Sequence, residues 1–426
     1  MKRKELWVIC GLLIMVVFTS VMIHHICIRP KSEQLQLESK LPYGDYLPDS
    51  ANPLIRVVLK AKGFQGIAHS EVQVAAKKGI CVNGVQKETQ ITIKPDSELF
   101  EQGSVIIETE RTEDRLEILS LTRGCGTPSY RGKLELYTTA EGIVIVNEIP
   151  LEEYLYAVVP SEMPASYAME ALKCQAVCAR SYAYCQMLQF SYPEYQAHVD
   201  DSVSFQVYGN SGEKDTTTKA VKETEGKKLW YLGNVVKTYY YSTSSGHSTD
   251  VRAWGSSMTK ERQYLKGVSI CDKQGNAYEK EYPWYRWKTI ISKEILRQLI
   301  ENNTEKVIGE LQNIEVTKRG AGDVALQVIV EGTKGTVSVE TENKIRSLFG
   351  GEGYTIEKQD GNMVKSTKLL PSAFFTIAKS GENYIIEGGG YGHGIGMSQN
   401  GANEMAKAGM NYRDILQFFY SGTKVE

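Results

Sequence analysis

The sequence has no excess of charge of either sign, because its 426 residues contain 49 lysines and arginines against 51 aspartates and glutamates. Without a basic bias there is no electrostatic argument for a nucleic-acid partner. The sequence also has no acidic tail of the kind that indicates disorder. Two common enzyme motifs are also missing. There is no G-x-S-x-G elbow, and the glycine-rich segment near the C-terminus lacks the lysine and the serine or threonine of a P-loop.

The cysteines show no pattern that is typical of a disulfide framework. There are 8 of them, without a C-x-x-C pair and without an even ladder of spacings. Cys174 and Cys178 are one helical turn apart and could in principle bind a metal together. Their neighbours Ala171, Ala176 and Ala179 favour the packing of small apolar side chains instead.

An uncharged, mainly apolar run extends from Leu6 to Ile23 and follows the basic residues Lys2, Arg3 and Lys4. A run of that length, ~18 residues, just spans a bilayer with ~30 Å of hydrocarbon. The basic residues favour a cytoplasmic N-terminus, and no convincing small-x-small cleavage site of a signal peptide follows. We therefore predict that residues 1–29 are a cytoplasmic tip and a transmembrane signal anchor. The protein would then be a single-pass protein of the cell membrane, with its remaining domains extracytoplasmic.

Beyond the anchor, the hydrophobic periodicity changes along the chain. Residues 30–52 are polar and contain prolines, which is typical of a linker. Residues 53–150 contain short alternating runs separated by turn residues, which predicts a β-rich N-terminal region. Residues 151–426 form the second predicted region, with a long helix from Ser166, its N-cap, to Gln189. A helix is predicted over 282–304, and further strands and two short C-terminal helices follow, so the predicted class is α+β.

One acidic side chain, Glu162, lies between Pro160 and Pro164 in a mostly apolar turn directly before the long helix. Burial in such a setting raises the pKa of a carboxyl group, as a general acid at neutral pH requires. The competing interpretation is a glutamate that caps the following helix. Glycoside hydrolysis normally needs a second carboxylate ~5–9.5 Å away. Glu152 and Glu153 lie just upstream, but we interpret them as structural residues and not as this second carboxylate. A mechanism with one carboxyl, which cyclises a sugar without consuming water, therefore stays open.

Three other features contain polar residues of interest. Gln175 and Arg180 interrupt a helix that is otherwise small and apolar, and an arginine there is either buried and paired or turned towards a ligand. The segment YYYSTSSGH, residues 239–247, favours substrate hydrogen bonding or a turn over nucleophilic catalysis. In GGGYGHGIG, residues 388–396, alternating glycines let another backbone approach closely. A metal role for His393 would need partners that the sequence does not identify.

Several blocks, in their order along the chain, resemble the stage II sporulation protein D family, also called the SpoIID/LytB family. They are EYLYAVVPSEMPASYAMEALKCQAVCARSYA, QVYG, YYYSTSSGHSTD and GGGYGHGIGMSQNGANEMAKAGMNYRDILQFFYSGT. The resemblance covers roughly residues 53–426. It implies a peptidoglycan lytic transglycosylase, a lyase that leaves 1,6-anhydromuramoyl ends and favours cell-wall strands stripped of stem peptides. It also implies a role in sporulation and engulfment, with an amidase and a membrane-anchoring protein as partners.

The resemblance also implies roles for individual residues, around a substrate groove beside the central helix. The motif glutamate of the family falls on Glu162, which would be the catalytic acid and base. The substrate-binding residues implied are Gln175, Arg180, Tyr182, Ser244, Ser245, Tyr391, His393, Gly394 and Gln399. No cofactor or metal is expected. Some family members bind zinc through cysteines before the Q-x-Y motif, and here only His198, Asp200 and Asp201 offer an alternative ligand set.

Two other functions stay open on the sequence. A non-catalytic protein that binds peptidoglycan and enhances an N-acetylmuramoyl-L-alanine amidase would need the groove but not Glu162. A hydrolase would take its second carboxylate from elsewhere in the chain, for example Asp250. Product masses separate the three functions, because a lyase gives anhydro sugars, a hydrolase gives reducing ends and a binding protein gives neither.

Overall fold

The computed structural model describes residues 52–87, 89–111 and 113–426, in which a strand-rich part precedes the first helix. The strands before that helix are β1 Leu54–Leu59, β2 Ala68–His69, β3 Val72–Ala75, β4 Ile80–Val82, β5 Val85–Lys87, β6 Gln90–Ile93, β7 Val105–Glu108, β8 Leu116–Ile118, β9 Ser129–Tyr130, β10 Lys133–Thr139 and β11 Gly142–Pro150. The middle of the chain contains α1 Leu151–Glu162, α2 Met169–Gln186, β12 Val199–Asp200, α3 Asp215–Glu223, β13 Leu229–Tyr231, β14 Asn234–Val235 and β15 Tyr240–Tyr241.

The remaining elements are again a mixture of strands and helices. They are β16 Trp287–Ser292, α4 Lys293–Thr304, β17 Leu311–Arg319, β18 Ala325–Gly332, β19 Thr336–Glu340, α5 Glu342–Leu348, β20 Thr355–Lys358, β21 Met363–Lys365, β22 Phe375–Ser380, β23 Asn383–Gly388, β24 Met397–Ser398, α6 Gln399–Lys407, α7 Tyr412–Phe419 and β25 Lys424–Val425. The predicted α+β class is confirmed for this part of the chain. The predicted membrane anchor lies outside the described residues, and none of the described helices is long and apolar enough to cross a bilayer.

The N-terminal strands form a large sheet in the order β12-β1-β11-β10-β7-β4-β5, with β2 on β11, and a smaller sheet in the order β6-β3-β8-β9. Strand β10 shows the predicted alternation, since Leu134 and Leu136 are buried between more exposed neighbours. The first two helices share one core with these strands, to which α1 contributes Val158 and α2 contributes Ala176 and Ala179. The β-rich part therefore supports the helix that ends at Glu162.

The long helix α2 begins later than the sequence predicts. The predicted N-cap, Ser166, lies before the helix, which starts at Met169 after Ala168. Ala168 has no side-chain oxygen to cap the helix, and its own N–H donates to the Oδ1 atom of Asn403 at 2.9 Å. A contact from a distant helix thus helps to hold the turn before α2. The helix ends at Gln186, slightly earlier than predicted.

The elements from β16 to β23 form a unit that is inserted between β15 and β24. Two sheets, β21-β20-β16-β23-β22 and β17-β18-β19, pack with α4 and α5 around a separate hydrophobic core that includes Leu296, Val328 and Phe349. The region predicted as one, 151–426, is therefore divided among several cores, which include this one, the core shared with the N-terminal strands and a further core with Met163 and Tyr420. A helix was predicted over 282–304, but its first part is the strand β16. The alternating burial within WKTIIS explains this difference.

The two short C-terminal helices, α6 and α7, are present as predicted. Cys174 and Cys178 face them from α2 and are fully buried. The Sγ atom of Cys174 lies 3.5 Å from the carbonyl oxygen of Tyr412, and that of Cys178 lies 3.4 Å from the hydroxyl of Tyr420. The prediction that these cysteines serve helix packing is confirmed.

Candidate active site

Glu162 is the last residue of α1, and its half-buried side chain meets two hydrogen-bond donors. The backbone N–H of Val207 donates to Oε1 at 2.6 Å, and the hydroxyl of Tyr240 also bonds to the carboxylate. Burial outweighs these two bonds and raises the pKa of Glu162 to about 7. The carboxylate does not cap α2, whose N-cap is Ala168, and the general-acid role of Glu162 stays a prediction.

Both donors to Glu162 depend on the segment QVY. The side chain of Gln206 is buried, and its Nε2 donates to the hydroxyl oxygen of Tyr240 at 3.1 Å. Its Oε1 lies 3.4 Å from the hydroxyl of Tyr154. The Tyr240 proton is therefore left to point at Glu162. QVYG and the aromatic strand before STSSGH belong to the blocks that resemble the family, but nothing in the sequence singles out Gln206, Val207 or Tyr240.

Two of the predicted residues, Gln175 and Gln399, lie behind Glu162. The Nε2 atom of Gln399, the first residue of α6, donates to the backbone carbonyl of Glu162 at 2.9 Å and to Oε1 of Gln175 at 3.2 Å. Gln175 is fully buried, and its Nε2 has no hydrogen-bond partner among the described residues. These amides fix the end of α1 from inside the protein and do not face solvent.

His393 acts on Tyr240 and has both ring nitrogens engaged. Its Nε2 lies 3.0 Å from the carbonyl oxygen of Tyr240, and its Nδ1 accepts the N–H of Ile395 at 3.1 Å. The proton is therefore on Nε2. The ring lies against Tyr241 and Trp254, and burial lowers the pKa of His393 to about 4. The imidazole is therefore neutral and holds the strand that carries Tyr240, while its role in substrate binding stays a prediction.

The glycines around His393 allow the close approach that the sequence predicts. Gly394 has φ +80°, and a Cβ atom there would lie 2.5 Å from the ring of Phe374. At Gly396, with φ +78°, a Cβ atom would lie 2.0 Å from the carbonyl oxygen of Tyr239. The carbonyl of Gly394 accepts the N–H of Thr249 at 2.7 Å. Gly394 therefore has a packing role, and it is buried.

Tyr391 presents its ring to solvent, with 43% of the residue exposed. Its backbone pairs with Thr243 through bonds of 2.8 and 3.2 Å, and its ring centroid lies 4.9 Å from that of Trp284. Aromatic faces held in this way can stack on sugar rings. Of the predicted substrate-binding residues, Tyr391 is the one whose exposure fits that role best.

The two predicted serines have different surroundings. Ser244 is buried, and both its N–H, at 2.8 Å, and its hydroxyl donate to the carboxylate of Glu279. That carboxylate also accepts the hydroxyl of Ser398 at 2.6 Å, and burial raises its pKa. Ser245, in contrast, is half-buried and lines a cavity of about 310 Å³. Only Ser245 is therefore placed to meet a ligand.

Arg180 is corrected from a predicted substrate-binding residue to an internal ion pair. It is fully buried, and its Nε and Nη2 atoms each lie 2.6 Å from a carboxylate oxygen of Glu152. Its Nη1 donates to the carbonyl of Lys227 at 3.1 Å. Tyr182 is half-buried, with its ring centroid 6.1 Å from that of Tyr239.

The alternative zinc ligands are engaged within the protein. The Nδ1 atom of His198 accepts the backbone N–H of Arg56 at 3.0 Å, and Asp201 pairs with the buried guanidinium of Arg123. Asp200 accepts hydrogen bonds within its own turn. No cluster of three or more His, Cys, Asp or Glu side chains that could hold a metal is found in the part of the chain that the structure describes.

Comparison with known proteins gives matches over most of the described chain. A family model described as a stage II sporulation protein matches residues 139–231, and a domain of unknown function, DUF8618, matches residues 225–396. The chain is 30% identical over 308 residues to the stage II sporulation protein D of Bacillus subtilis (strain 168), covering 68% of this chain and 78% of that relative. It is 29% identical over 296 residues to the protein of that name from Bacillus amyloliquefaciens, covering 66% and 75%.

A further relative has a different name. The chain is 33% identical over 290 residues to the amidase enhancer of Bacillus subtilis (strain 168), covering 63% of this chain. The match spans only 40% of that relative's length. The DUF8618 match contains the whole inserted unit. In the sequence, this unit separates the two parts of the chain that form the candidate site, one before β16 and one after β23. In the structure the two parts meet, because Gln399 from the second part bonds to Glu162 from the first.

Proposed function

Because the chain belongs to the stage II sporulation protein D family, we propose that it is a peptidoglycan lytic transglycosylase with Glu162 as its single acid and base. The state of that carboxyl is the main support. Its pKa of about 7 leaves it protonated in roughly half of the molecules at neutral pH, so it can first donate a proton and then accept one. Val207 and Tyr240 hold the carboxylate in place through both stages.

The proposed reaction conserves every proton. Glu162 donates its proton to the glycosidic oxygen while the bond from C1 of the muramoyl residue to that oxygen breaks. The resulting carboxylate then removes the proton of the C6 hydroxyl, and O6 bonds to C1. The products are a 1,6-anhydromuramoyl end and a free hydroxyl on the leaving sugar. The carboxyl is protonated again, and no water is consumed.

The structure favours this lyase over a hydrolase. A hydrolase needs a second free carboxylate, and Asp250 was the candidate from the sequence. Asp250 is held by Arg252 at 2.9 and 2.6 Å, which lowers the pKa of this carboxylate, and it also caps the short helix Val251–Trp254. Glu279 is fully buried among hydroxyl and amide donors. Neither carboxylate is available to activate a water molecule.

A second candidate function is that of an amidase enhancer, which the similarity to the protein of that name favours. Such a protein would bind peptidoglycan strands and stimulate an N-acetylmuramoyl-L-alanine amidase. It would not need a carboxyl with a raised pKa. For such a protein, the contacts to Glu162 would serve only to stabilise the C-terminal end of α1.

The cellular setting also belongs to the proposal. The names of the relatives and the apolar N-terminal run support a single-pass protein of the cell membrane that acts on the extracytoplasmic side during sporulation and engulfment. The proposed partners are the glycan strands, the amidase that strips them and a membrane protein that anchors both enzymes.

The test is the mass of the products from peptide-stripped glycan strands, measured with the full-length protein and with its Glu162→Gln variant. The proposal expects 1,6-anhydromuramoyl ends with the wild type. It also expects a loss of roughly 10²-fold or more in rate with the variant, since glutamine cannot transfer the proton. Equal binding of strands by both proteins controls for folding. Reducing ends would indicate the hydrolase. Binding without cleavage, together with faster amidase turnover, would indicate the enhancer.

A further inference from the structure

A cavity of about 310 Å³ opens beside the loop that follows β15. Its wall combines an apolar part, which includes Phe374, with the hydroxyl-bearing residues Ser245 and Thr376 and three charged residues. These are Arg286, Asp323 and Glu387. Ser245 comes from the loop after β15, whereas Glu387 lies on β23 of the inserted unit. The cavity therefore lies where the inserted unit joins the rest of the site.

The charges around this cavity do not cancel locally. Glu387 is paired with Lys288 at 2.8 Å, and Asp323 lies 3.5 Å from the guanidinium of Arg319. Arg286 forms no ion pair with any described residue. The charge that is left without a counter-ion at the cavity is therefore positive, and it belongs to Arg286.

Arg286 is held in one orientation although it is exposed. Its Nη1 donates to the carbonyl oxygens of Ser245 at 3.1 Å and Tyr285 at 2.7 Å, and its guanidinium carbon lies 3.9 Å from the centre of the Tyr285 ring. Its Nε and Nη2 groups have no partner among the described residues, and neither has the Ser245 hydroxyl. An arginine edge with two free N–H groups matches the two oxygens of a carboxylate.

The cavity is within reach of the proposed catalytic carboxyl. Tyr240 bonds to Glu162, and Ser245 follows five residues later, so the Cα atoms of Tyr240 and Ser245 are at most about 18 Å apart. The exposed ring of Tyr391 is anchored to the loop between them. The acid, the aromatic ring and Arg286 therefore lie within the length of one extended sugar strand.

We propose that this cavity is a carboxylate subsite, in which Arg286 and Ser245 bind the free lactyl carboxylate of a muramoyl residue without its stem peptide. The proposal rests on the proposed function and adds a specificity determinant to it. Removal of the peptide turns a neutral amide into an anion, and only the anion can pair with the guanidinium. The carboxylates of a stem peptide are the second possible source of the same chemistry.

The test measures strand binding in a Glu162→Gln background, so that cleavage does not interfere. The full-length protein is titrated with peptide-stripped strands, with the same strands after conversion of the lactyl carboxylates to methylamides, and with peptide-bearing strands. Stripped strands should bind roughly 10- to 100-fold more tightly than the methylamides, as for a hydrogen-bonded charge. Adding Arg286→Gln should remove this difference, and Arg286→Lys should retain part of it.

Arg413→Gln is the matched control, because Arg413 is also exposed and lies over the ring of the tyrosine that precedes it. It should leave all three affinities unchanged. The proposed subsite is overturned if Arg286→Gln keeps the preference for stripped strands. It is also overturned if the Glu162→Gln protein, without a further substitution, binds no strand. An Arg286-dependent preference for peptide-bearing strands would assign the carboxylate to the stem peptide and overturn the lactyl assignment. The catalytic proposal fails separately, when wild type shows the preference but forms no anhydro ends.

Discussion

The backbone N–H of Val207 lies 2.6 Å from Oε1 of Glu162, although 45 residues separate the two in the chain. The bond joins the end of α1 to the QVY segment, and it favours the charged form of the carboxyl. Burial opposes it and prevails, so the pKa is about 7. Because the pKa of Glu162 depends on this balance between one short bond and desolvation, it is sensitive to changes in each neighbouring residue.

The pH dependence of stability should report the burial of Glu162. Its pKa in the folded protein is about 7 and its ordinary value is 4.5, so the folded state binds the proton more tightly. Wild type should lose stability as the pH rises from 4.5 through 7, by roughly 3 kcal/mol in all. Glu162→Gln has no charge to desolvate and should be the more stable protein at pH 8. Urea unfolding at pH 4.5 and pH 8 measures both. A variant that is equally stable or less stable at pH 8 would show that the carboxylate is well solvated.

Removal of the Tyr240 hydroxyl should shift the pH profile of the reaction. Tyr240→Phe deletes a bond that favours the ionised carboxylate, so the pKa of Glu162 should rise further. The rate should fall about tenfold at pH 7, because the carboxyl is less well placed, and the limb assigned to Glu162 should move to higher pH. Tyr241→Phe is the control, since the buried Tyr241 hydroxyl has no hydrogen-bond partner among the described residues. An unchanged profile for Tyr240→Phe would contradict the assigned contact.

Replacement of His393 should act through Tyr240. His393→Phe leaves the carbonyl of Tyr240 and the N–H of Ile395 without their side-chain partner. Each lost bond in such a buried place costs about 1–3 kcal/mol, so we expect a clear drop in the unfolding midpoint. The wild-type pKa of about 4 for His393 predicts no step in activity near pH 6.5 that depends on this residue. A step at that pH that disappears in His393→Gln would mean that the imidazole titrates during catalysis.

The ion pair of Arg180 should matter for stability and not for substrate affinity. Arg180→Met leaves the buried carboxylate of Glu152 without its cation, which typically costs about 3–5 kcal/mol. The double variant Arg180→Met, Glu152→Gln removes both charges and should recover much of that loss. Urea unfolding of these two variants, of the single variant Glu152→Gln and of the wild type completes the cycle. Folded Arg180→Met should keep the wild-type KM, and a selective rise in KM would restore a substrate role for Arg180.

The sequence was sufficient where the information is local. Alternation in the N-terminal strands and the apolar turn around Glu162 can be recognised without tertiary structure. The start of α2 could not be predicted, because Asn403, more than 200 residues away, bonds the backbone there. Val207 and Tyr240 were missed for a related reason: a backbone amide has no signature in the sequence, and one tyrosine among 25 stands out only by its partner. The role of Arg180 could not be predicted from the local composition, because a polar residue on an apolar helix is compatible with both a ligand contact and a buried ion pair.

The inserted unit enters through β16 and leaves through β23, and these strands pair side by side from Trp287 and Gly388 to Ser292 and Asn383. The neck of the insertion is therefore about one strand spacing wide, ~4.8 Å. An enlarged, trimmed or exchanged unit has to keep these two adjacent strand ends and the side chains, such as Val324 and Phe374, that pack into the core of the rest of the chain. Evolution can thus vary the outer part of the protein as a module, while the residues around Glu162 keep their places.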